Sequence, residues 1–169
     1  QLVAHIYLSL GSNIDRHARI NAALDALLLM FGDLQLSPVY ESDSVGFAGD
    51  NFFNLVVGIT TNKSIGEVSA ILKHIENENG RDRSAPRFGP RSLDIDILTV
   101  DDICGAVDGI QLPREEVLVN AFVLLPLADI APDRVHPQTG KTYEHHWQEY
   151  DQSKQKLWAI EFIWLNRPA

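Results

Sequence analysis

The chain has 169 residues, of which 45% are hydrophobic and 22% charged, so its size and composition are typical of one globular domain and argue against disorder. Its 14 basic and 23 acidic residues leave a net charge of −9, which disfavours nucleic acid or an anionic membrane as a partner without a local basic patch. Cys104 is the single cysteine, which excludes an internal disulfide and a cysteine-based zinc cluster.

The sequence indicates neither a membrane span nor a secretory leader. No run approaches the roughly 18 consecutive apolar residues of a span. The first residues lack the basic, apolar and small-residue pattern of a leader. We therefore expect a single domain over residues 1–169, located in the cytoplasm.

Strand and helix patterns follow one another along the first hundred residues. Apolar residues three and four apart predict a helix that begins near Asn13 or Asp15, and Ser64 with Glu67 predicts a capping box before a second helix. The predicted elements, in chain order, are a strand over 5–10 that ends at Gly11-Ser12-Asn13, a helix over 15–31, strands over 34–45 and 52–61, a helix over 64–79 and a strand over 93–100.

The remaining third of the chain has weaker patterns. Residues 101–120 indicate turns and short strands, and Ala121 to Ile130 indicates a helix that Pro126 either kinks or shortens. A short helix is expected near 142–152, and 157–165 is expected to pack as a strand on the sheet edge. The order β, α, β, β, α, β predicts a ferredoxin-like α+β fold: an antiparallel sheet with both helices on one face and a C-terminal extension.

Asp94 and Asp96 form the first candidate for chemistry. Strand alternation places both carboxylates on one face, about 7 Å apart, with Ile95 and Ile97 on the other. Paired carboxylates suit Mg²⁺, which proteins hold through one or two carboxylates plus substrate phosphates. Two solvated aspartates on an exposed strand are the alternative.

Four arginines precede this strand closely: Arg81, Arg83, Arg87 and Arg91. One guanidinium group can bind two phosphate oxygens at once. Arginines beside a carboxylate pair are therefore typical of a loop that closes over a metal-bound polyphosphate. A solvated charge loop or a nucleic-acid patch is the alternative. Phe88 lies within this loop, and an apolar ring there favours a role in covering a ligand.

Phe52 and Asn54 share one face of the predicted strand over 52–61. An aromatic ring can stack on a flat heterocycle while an amide reads its edge as donor and acceptor. A core aromatic and an ordinary strand asparagine remain the alternative at this point.

The segment from Arg81 to Leu98, which includes Arg87-Phe88-Gly89-Pro90-Arg91-Ser92-Leu93-Asp94-Ile95-Asp96, resembles the signature of the 6-hydroxymethyl-7,8-dihydropterin pyrophosphokinase family of folate biosynthesis. Gly11-Ser12-Asn13, Tyr40 with Val45-Gly46, and Phe52-Phe53-Asn54 extend the resemblance, which covers roughly residues 5–135. It implies transfer of the pyrophosphoryl group of ATP to the pterin hydroxymethyl oxygen, which releases AMP.

The resemblance also implies a role for each matching residue. Asp94 and Asp96 would hold two Mg²⁺ ions, and Arg81 and Arg91 would be catalytic arginines. The pterin would contact Ser42, Val45, Phe52, Asn54, Phe88 and Phe122. The ATP side would comprise Lys73, Glu76, Arg83, Ile97 and Arg114.

Departures from the family pattern concentrate on the adenosine side. Pro113-Arg114-Glu115 stands where Pro-His-Tyr is usual, and Lys73 stands where glutamine is common. Arg114 would supply the charge of the usual histidine.

The sequence favours a monomeric, Mg-dependent enzyme that binds a pterin and ATP and neither nucleic acid nor membrane. Two alternatives remain at this stage: a divergent phosphoryl-transfer enzyme with another heterocyclic alcohol, and a non-catalytic pterin or nucleotide sensor. Retention of Asp94, Asp96, Arg81 and Arg91 favours the enzyme, because a sensor needs no paired metal carboxylates.

Overall fold

A computed structural model describes residues 3–43, 51–80 and 93–169. Its strands are β1 (Ala4–Ser12), β2 (Gln35–Leu36), β3 (Val39–Ser42), β4 (Phe52–Thr61), β5 (Asp94–Val100), β6 (Gly105–Val107), β7 (Ile110–Leu112) and β8 (Leu157–Ile160). Its helices are α1 (Arg16–Phe31), α2 (Ile65–Glu78), α3 (Glu116–Val119), α4 (Ala121–Ile130) and α5 (Tyr143–Glu149).

The main sheet has the strand order β5-β1-β4-β3-β8, with β2 paired to β4, and every pair is antiparallel. Strands β6 and β7 form a separate hairpin. With α1 after β1 and α2 after β4, the first four strands of this order have the ferredoxin-like topology. The predicted fold class is confirmed.

Helices α1 and α2 pack on one face of the sheet, as predicted. Apolar residues at helical spacing, such as Leu24 on α1 and Leu72 on α2, join one core with Leu8, Leu55 and Ile97 of the strands. Because successive strand residues point to opposite faces, this packing directs the alternate residues of β1, β4 and β5 to the second face.

The second face is covered in part by α4, a placement that the sequence patterns did not predict. Val123 and Leu127 of α4 pack with Val56 and Leu98 of the sheet. Helix α4 runs through Pro126, so the shorter helix considered from sequence is wrong. The proline merely lacks the N–H that would bond to the carbonyl of Phe122.

Helices α1 and α2 both begin where the sequence predicts, but only α2 has the predicted side-chain cap. The capping box is confirmed: the Glu67 N–H donates to Ser64 Oγ at 3.1 Å, and the Ser64 N–H donates to Glu67 Oε1 at 2.9 Å. Asp15 precedes α1 at φ 49° without a side-chain cap bond. A side chain caps a helix when its own residue has extended backbone. Asp15 has left-handed backbone instead, so its carboxylate does not reach the first amides of α1.

Two of the predicted strands are divided or shortened, and β1 extends past its predicted end to Ser12. The strand expected over 34–45 is divided into β2 and β3 at Ser37-Pro38, because proline has no N–H to donate to the ladder. The strand expected over 157–165 ends at Ile160, and the chain then turns onto α1, where the Trp164 indole N–H donates to Asp25 Oδ1 at 2.7 Å. Across the described ranges, no helix is long and apolar enough to cross a membrane.

Candidate active site

Asp94 and Asp96 lie at the start of β5, and their two carboxylates are half-buried on one face. Ile95 and Ile97 face the helical core instead, so the predicted alternation is confirmed. Across the β1 ladder Asp94 is opposite Gly11, and Asp96 is opposite Ser9. The acidic pair therefore belongs to the face that α4 covers only in part.

The same face carries the polar and aromatic residues of β4. Gly11 pairs with Asp94 on one side and with Asn54 on the other. The strand spacing puts the backbones of β4 and β5 about 10 Å apart across β1. Asn54 is buried and Phe52 is half-buried. A ring held beside Phe52 would thus lie within reach of the acidic pair.

The Asn54 amide has a fixed orientation. Its Nδ2 donates to Ser42 Oγ at 3.0 Å, and both residues are buried. A Cβ on Gly11 would lie 2.8 Å from Asn54 Oδ1. Gly11 lies inside β1 and not in the turn assigned from sequence, and its missing side chain makes room for the amide.

Phe122 occupies the first turn of α4 and is half-buried against the cluster that includes Val56. The other end of α4 is held to β3, because the Tyr40 hydroxyl donates a hydrogen bond to the Asp129 carboxylate. Burial and the Asp129 carboxylate raise the pKa of Tyr40 above its ordinary value. Asp129 went unnoticed in the sequence because nothing local links it to Tyr40, 89 residues away.

Arg114 lies against Asp96 of the acidic pair, just after the β6–β7 hairpin. Its Nη2 is 3.5 Å from Asp96 Oδ1, and its Nε donates to the Ile97 carbonyl at 3.1 Å. Its Nη1 is 3.7 Å from Glu116. These partly exposed ion pairs are each worth less than about 1 kcal/mol, so the guanidinium can exchange partners when an anion or cation enters.

The other residues expected on the ATP side are spread around α2 and β5. Lys73 is exposed on α2, and the Ile97 side chain is buried in the core. Glu76 is 6% exposed, and its Oε2 accepts a hydrogen bond from the Ile95 N–H at 2.8 Å. Glu76 therefore fixes the position of the β5 start, a contact that the sequence did not predict.

The donor set is compatible with Mg²⁺. Among the described residues no group of three or more His, Cys, Asp or Glu side chains is arranged to hold a metal. Mg²⁺ does not need such a group, because it keeps several waters and takes one or two carboxylates plus substrate phosphates. The two half-buried carboxylates of Asp94 and Asp96 meet that requirement.

Six predicted site residues lie outside the described ranges. They are Arg81, Arg83, Arg87, Phe88 and Arg91 of the arginine segment, and Val45.

These features define a class: a ferredoxin-like α+β protein whose second sheet face combines an acidic pair with a half-buried aromatic ring and a buried amide. The model of the family described as 7,8-dihydro-6-hydroxymethylpterin-pyrophosphokinase (HPPK) matches residues 7–132. The chain therefore belongs to this pyrophosphokinase family.

Individual relatives agree with this assignment. A Pseudomonas aeruginosa protein named 2-amino-4-hydroxy-6-hydroxymethyldihydropteridine pyrophosphokinase is 38% identical over 136 residues, which cover 78% of this chain and 83% of the relative. The Aquifex aeolicus protein of the same name is 34% identical over 137 residues, which cover 80% and 85%.

The solved structures of Plasmodium falciparum HPPK-DHPS share the fold. The wild-type complex with pterin and p-hydroxybenzoate has a TM-score of 0.69 at 15% identity. The match covers 89% of this chain, which spans only 42% of the length of that larger chain. At this identity the likeness shows the fold alone.

Proposed function

We propose that this chain transfers the pyrophosphoryl group of ATP to 6-hydroxymethyl-7,8-dihydropterin in folate biosynthesis. The hydroxymethyl oxygen forms a bond to the β-phosphorus, the bond between that phosphorus and the α-phosphate oxygen breaks, AMP leaves, and the hydroxyl proton is released. One observation carries the proposal: in a chain of this family, the acidic pair and the fixed Asn54 amide share a sheet face, with Gly11 between Asp94 and Asn54.

The acidic pair is the proposed metal site. Asp94 and Asp96 would hold two Mg²⁺ ions, and bound Mg²⁺ supplies positive charge that neutralises the triphosphate. The protein's own part is positioning, because in-line phosphoryl transfer needs no protein nucleophile. Asp96 sits at a fixed register opposite Ser9, and the Arg114 guanidinium lies next to it.

The pterin is proposed to lie between Phe52 and Phe122, with its edge against Asn54. The Asn54–Ser42 hydrogen bond leaves the Asn54 Oδ1 and the second Nδ2 hydrogen to address the heterocycle. Ser42, Val45 and Phe88 complete the proposed lining.

ATP is proposed to lie along β5 and the β6–β7 hairpin. Arg114 would release Asp96 and bind phosphate oxygens, since its present ion pairs are weak. Lys73, Glu76, Arg83 and Ile97 belong to the same side, with Glu76 acting through the β5 start. Arg81 and Arg91 remain the proposed catalytic arginines, which neutralise developing charge.

We further propose a monomer that forms a single domain over residues 1–169 and acts in the cytoplasm, where ATP is available. The net charge of −9 supports the monomer, because like charge opposes self-association. Sedimentation of the purified protein at low and high concentration tests this part directly, and a concentration-dependent mass would contradict it.

Asp96→Asn tests the proposed function. The amide keeps the size of the side chain but removes its charge, and charge stabilisation by a metal is worth several kcal/mol, so AMP release should fall by more than about a hundredfold. The assay follows AMP release from ATP with 6-hydroxymethyl-7,8-dihydropterin and Mg²⁺, and circular dichroism reports on folding.

Asp102→Asn is the matched control, because Asp102 is exposed in the turn after β5. It should leave AMP release unchanged. Undiminished turnover in Asp96→Asn would exclude the acidic pair as the metal site, and no turnover in the unmodified protein would exclude the proposed reaction.

A further inference from the structure

The C-terminal part of the chain lies beyond the family match, which ends at residue 132, yet it touches both walls of the proposed pterin site. We name residues 150–160 the C-terminal brace. It comprises the residue that follows α5, a short connection and strand β8.

The brace provides the cap of α4. Gln155 Oε1 accepts a hydrogen bond from the Ala121 N–H at 2.9 Å, and its Nε2 donates to Asn120 Oδ1 at 3.3 Å. The first amides of a helix have no partner within the helix, and the Asn120 side chain does not cap them. A distant glutamine therefore holds the residue next to Phe122.

A second brace residue bonds to the connection between α3 and α4. The Tyr150 hydroxyl donates to the Val119 carbonyl at 2.7 Å, immediately before Asn120. Three hydrogen bonds from two brace residues, 31 to 35 positions away in sequence, thus hold the start of α4.

The brace also lies along the opposite wall. Strand β8 pairs with β3, and Leu157, two residues after Gln155, is opposite Ser42. Ser42 in turn accepts the hydrogen bond that orients Asn54. One short stretch of chain therefore fixes the Phe122 side and the Asn54 side relative to each other.

From this arrangement we propose that Gln155 is a positioning residue for the pterin, an inference that rests on the proposed function. By bonding to Asn120 and Ala121 it sets the distance at which Phe122 faces the β4 wall, and so it determines how tightly a flat ring is held. Gln155 contacts no reacting group. It acts through α4.

Gln155→Ala tests this role by calorimetric titration of 6-hydroxymethylpterin into the full chain, saturated with Mg²⁺ and a non-hydrolysable ATP analogue. Loss of a helix cap typically costs about 1 kcal/mol, so the pterin should bind roughly three- to tenfold more weakly. Affinity for the ATP analogue, titrated separately, should stay unchanged. In steady-state assays the KM for pterin should rise with little change in kcat.

Two further variants separate positioning from general stability. Gln155→Glu retains an oxygen that accepts from the Ala121 N–H, and a carboxylate is favourable at a helix N-terminus, so it should restore most of the pterin affinity. Gln152→Ala is the matched control: Gln152 is exposed in the same brace, and its Nε2 donates to the Trp147 carbonyl of α5 at 3.5 Å. It should bind the pterin like the unmodified protein.

The outcomes distinguish this inference from the proposed function. Equal pterin affinity in Gln155→Ala and the unmodified protein would refute the positioning role, and so would equal losses of pterin and ATP-analogue affinity. Failure of the unmodified protein to bind pterin would instead refute the proposed function.

Discussion

Gly11 is placed where a side chain would interfere with the site. It lies in the middle of three paired strands, between Asp94 and Asn54. A Cβ there would approach Asn54 Oδ1 to 2.8 Å, closer than real Cβ contacts allow. The glycine thus keeps the amide in the orientation that its hydrogen bond to Ser42 specifies.

Gly11→Ala should displace the Asn54 amide and weaken pterin binding. Overpacking typically costs about 1–3 kcal/mol, which corresponds to a loss of affinity of roughly five- to a hundredfold. Titration with 6-hydroxymethylpterin, Mg²⁺ and an ATP analogue measures the effect. Gly58→Ala is the control, because its Cβ would also come within 2.8 Å of an amide oxygen, that of Gln35, but near the far end of β4. Similar pterin losses in the two variants would contradict the role of Gly11.

At the scale of elements, the site depends on how α2 is joined to β5. The capping box at Ser64 fixes where α2 begins, and the buried Glu76 carboxylate accepts from the Ile95 amide near its other end. Ile95 lies between Asp94 and Asp96, so a contact from a helix on one face positions carboxylates that point to the other.

Glu76→Ala should lower the free energy of unfolding by about 1–3 kcal/mol, because the Ile95 N–H would be left buried without its acceptor. Glu76→Gln should lose less, since its amide oxygen can accept the same hydrogen bond. Urea unfolding measures both variants. If Glu76→Ala unfolded like the unmodified protein but bound ATP poorly, the carboxylate would act on the nucleotide and not through β5.

At the scale of the whole molecule, packing on the second face buries tyrosine hydroxyls. Tyr143 is 2% exposed in the cluster beneath α4, and burial raises its pKa from about 10 to about 12. Tyr40 shifts in the same direction. Between these pKa values the unfolded chain has lost the phenolic proton while the folded chain retains it. The contribution of these tyrosines to the free energy of unfolding is therefore fully present below about pH 10 and falls as the pH rises toward 12.

Tyr143→Phe should reduce this alkaline loss. The ionisation of one group lowers the free energy of unfolding by up to ~1.4 kcal/mol for each pH unit between the pKa of the unfolded chain and that of the folded chain. Phenylalanine does not ionise, so the variant should lose stability less steeply, while Tyr40 still contributes. Urea unfolding at several values between about pH 9 and about pH 12 measures the slope. The same slope in both proteins would show that Tyr143 does not titrate as its burial implies.

The sequence alone predicted much of the fold and the strand face on which the candidate acidic pair lies. The bounds of β4, the Ser64–Glu67 capping box and the shared face of Asp94 and Asp96 are confirmed by the structure. Each of them depends on a pattern or an interaction among residues only a few positions apart, such as the alternation of side chains along a strand or a helix cap. The arginine and aspartate segment carried the resemblance to the family for the same reason: its residues are contiguous.

Other features became visible only in the tertiary structure. They include α4 on the second face, the bond from Gln155 to the start of α4, Arg114 beside Asp96, and Gly11 against Asn54. These contacts join residues 18 to 43 positions apart or depend on which sheet face an element covers. Local periodicity specifies that a helix or strand forms and which of its sides is apolar, whereas packing of the whole chain selects the element against which that side lies. The sequence therefore determined the elements and their chemistry, and the tertiary structure decided how they meet.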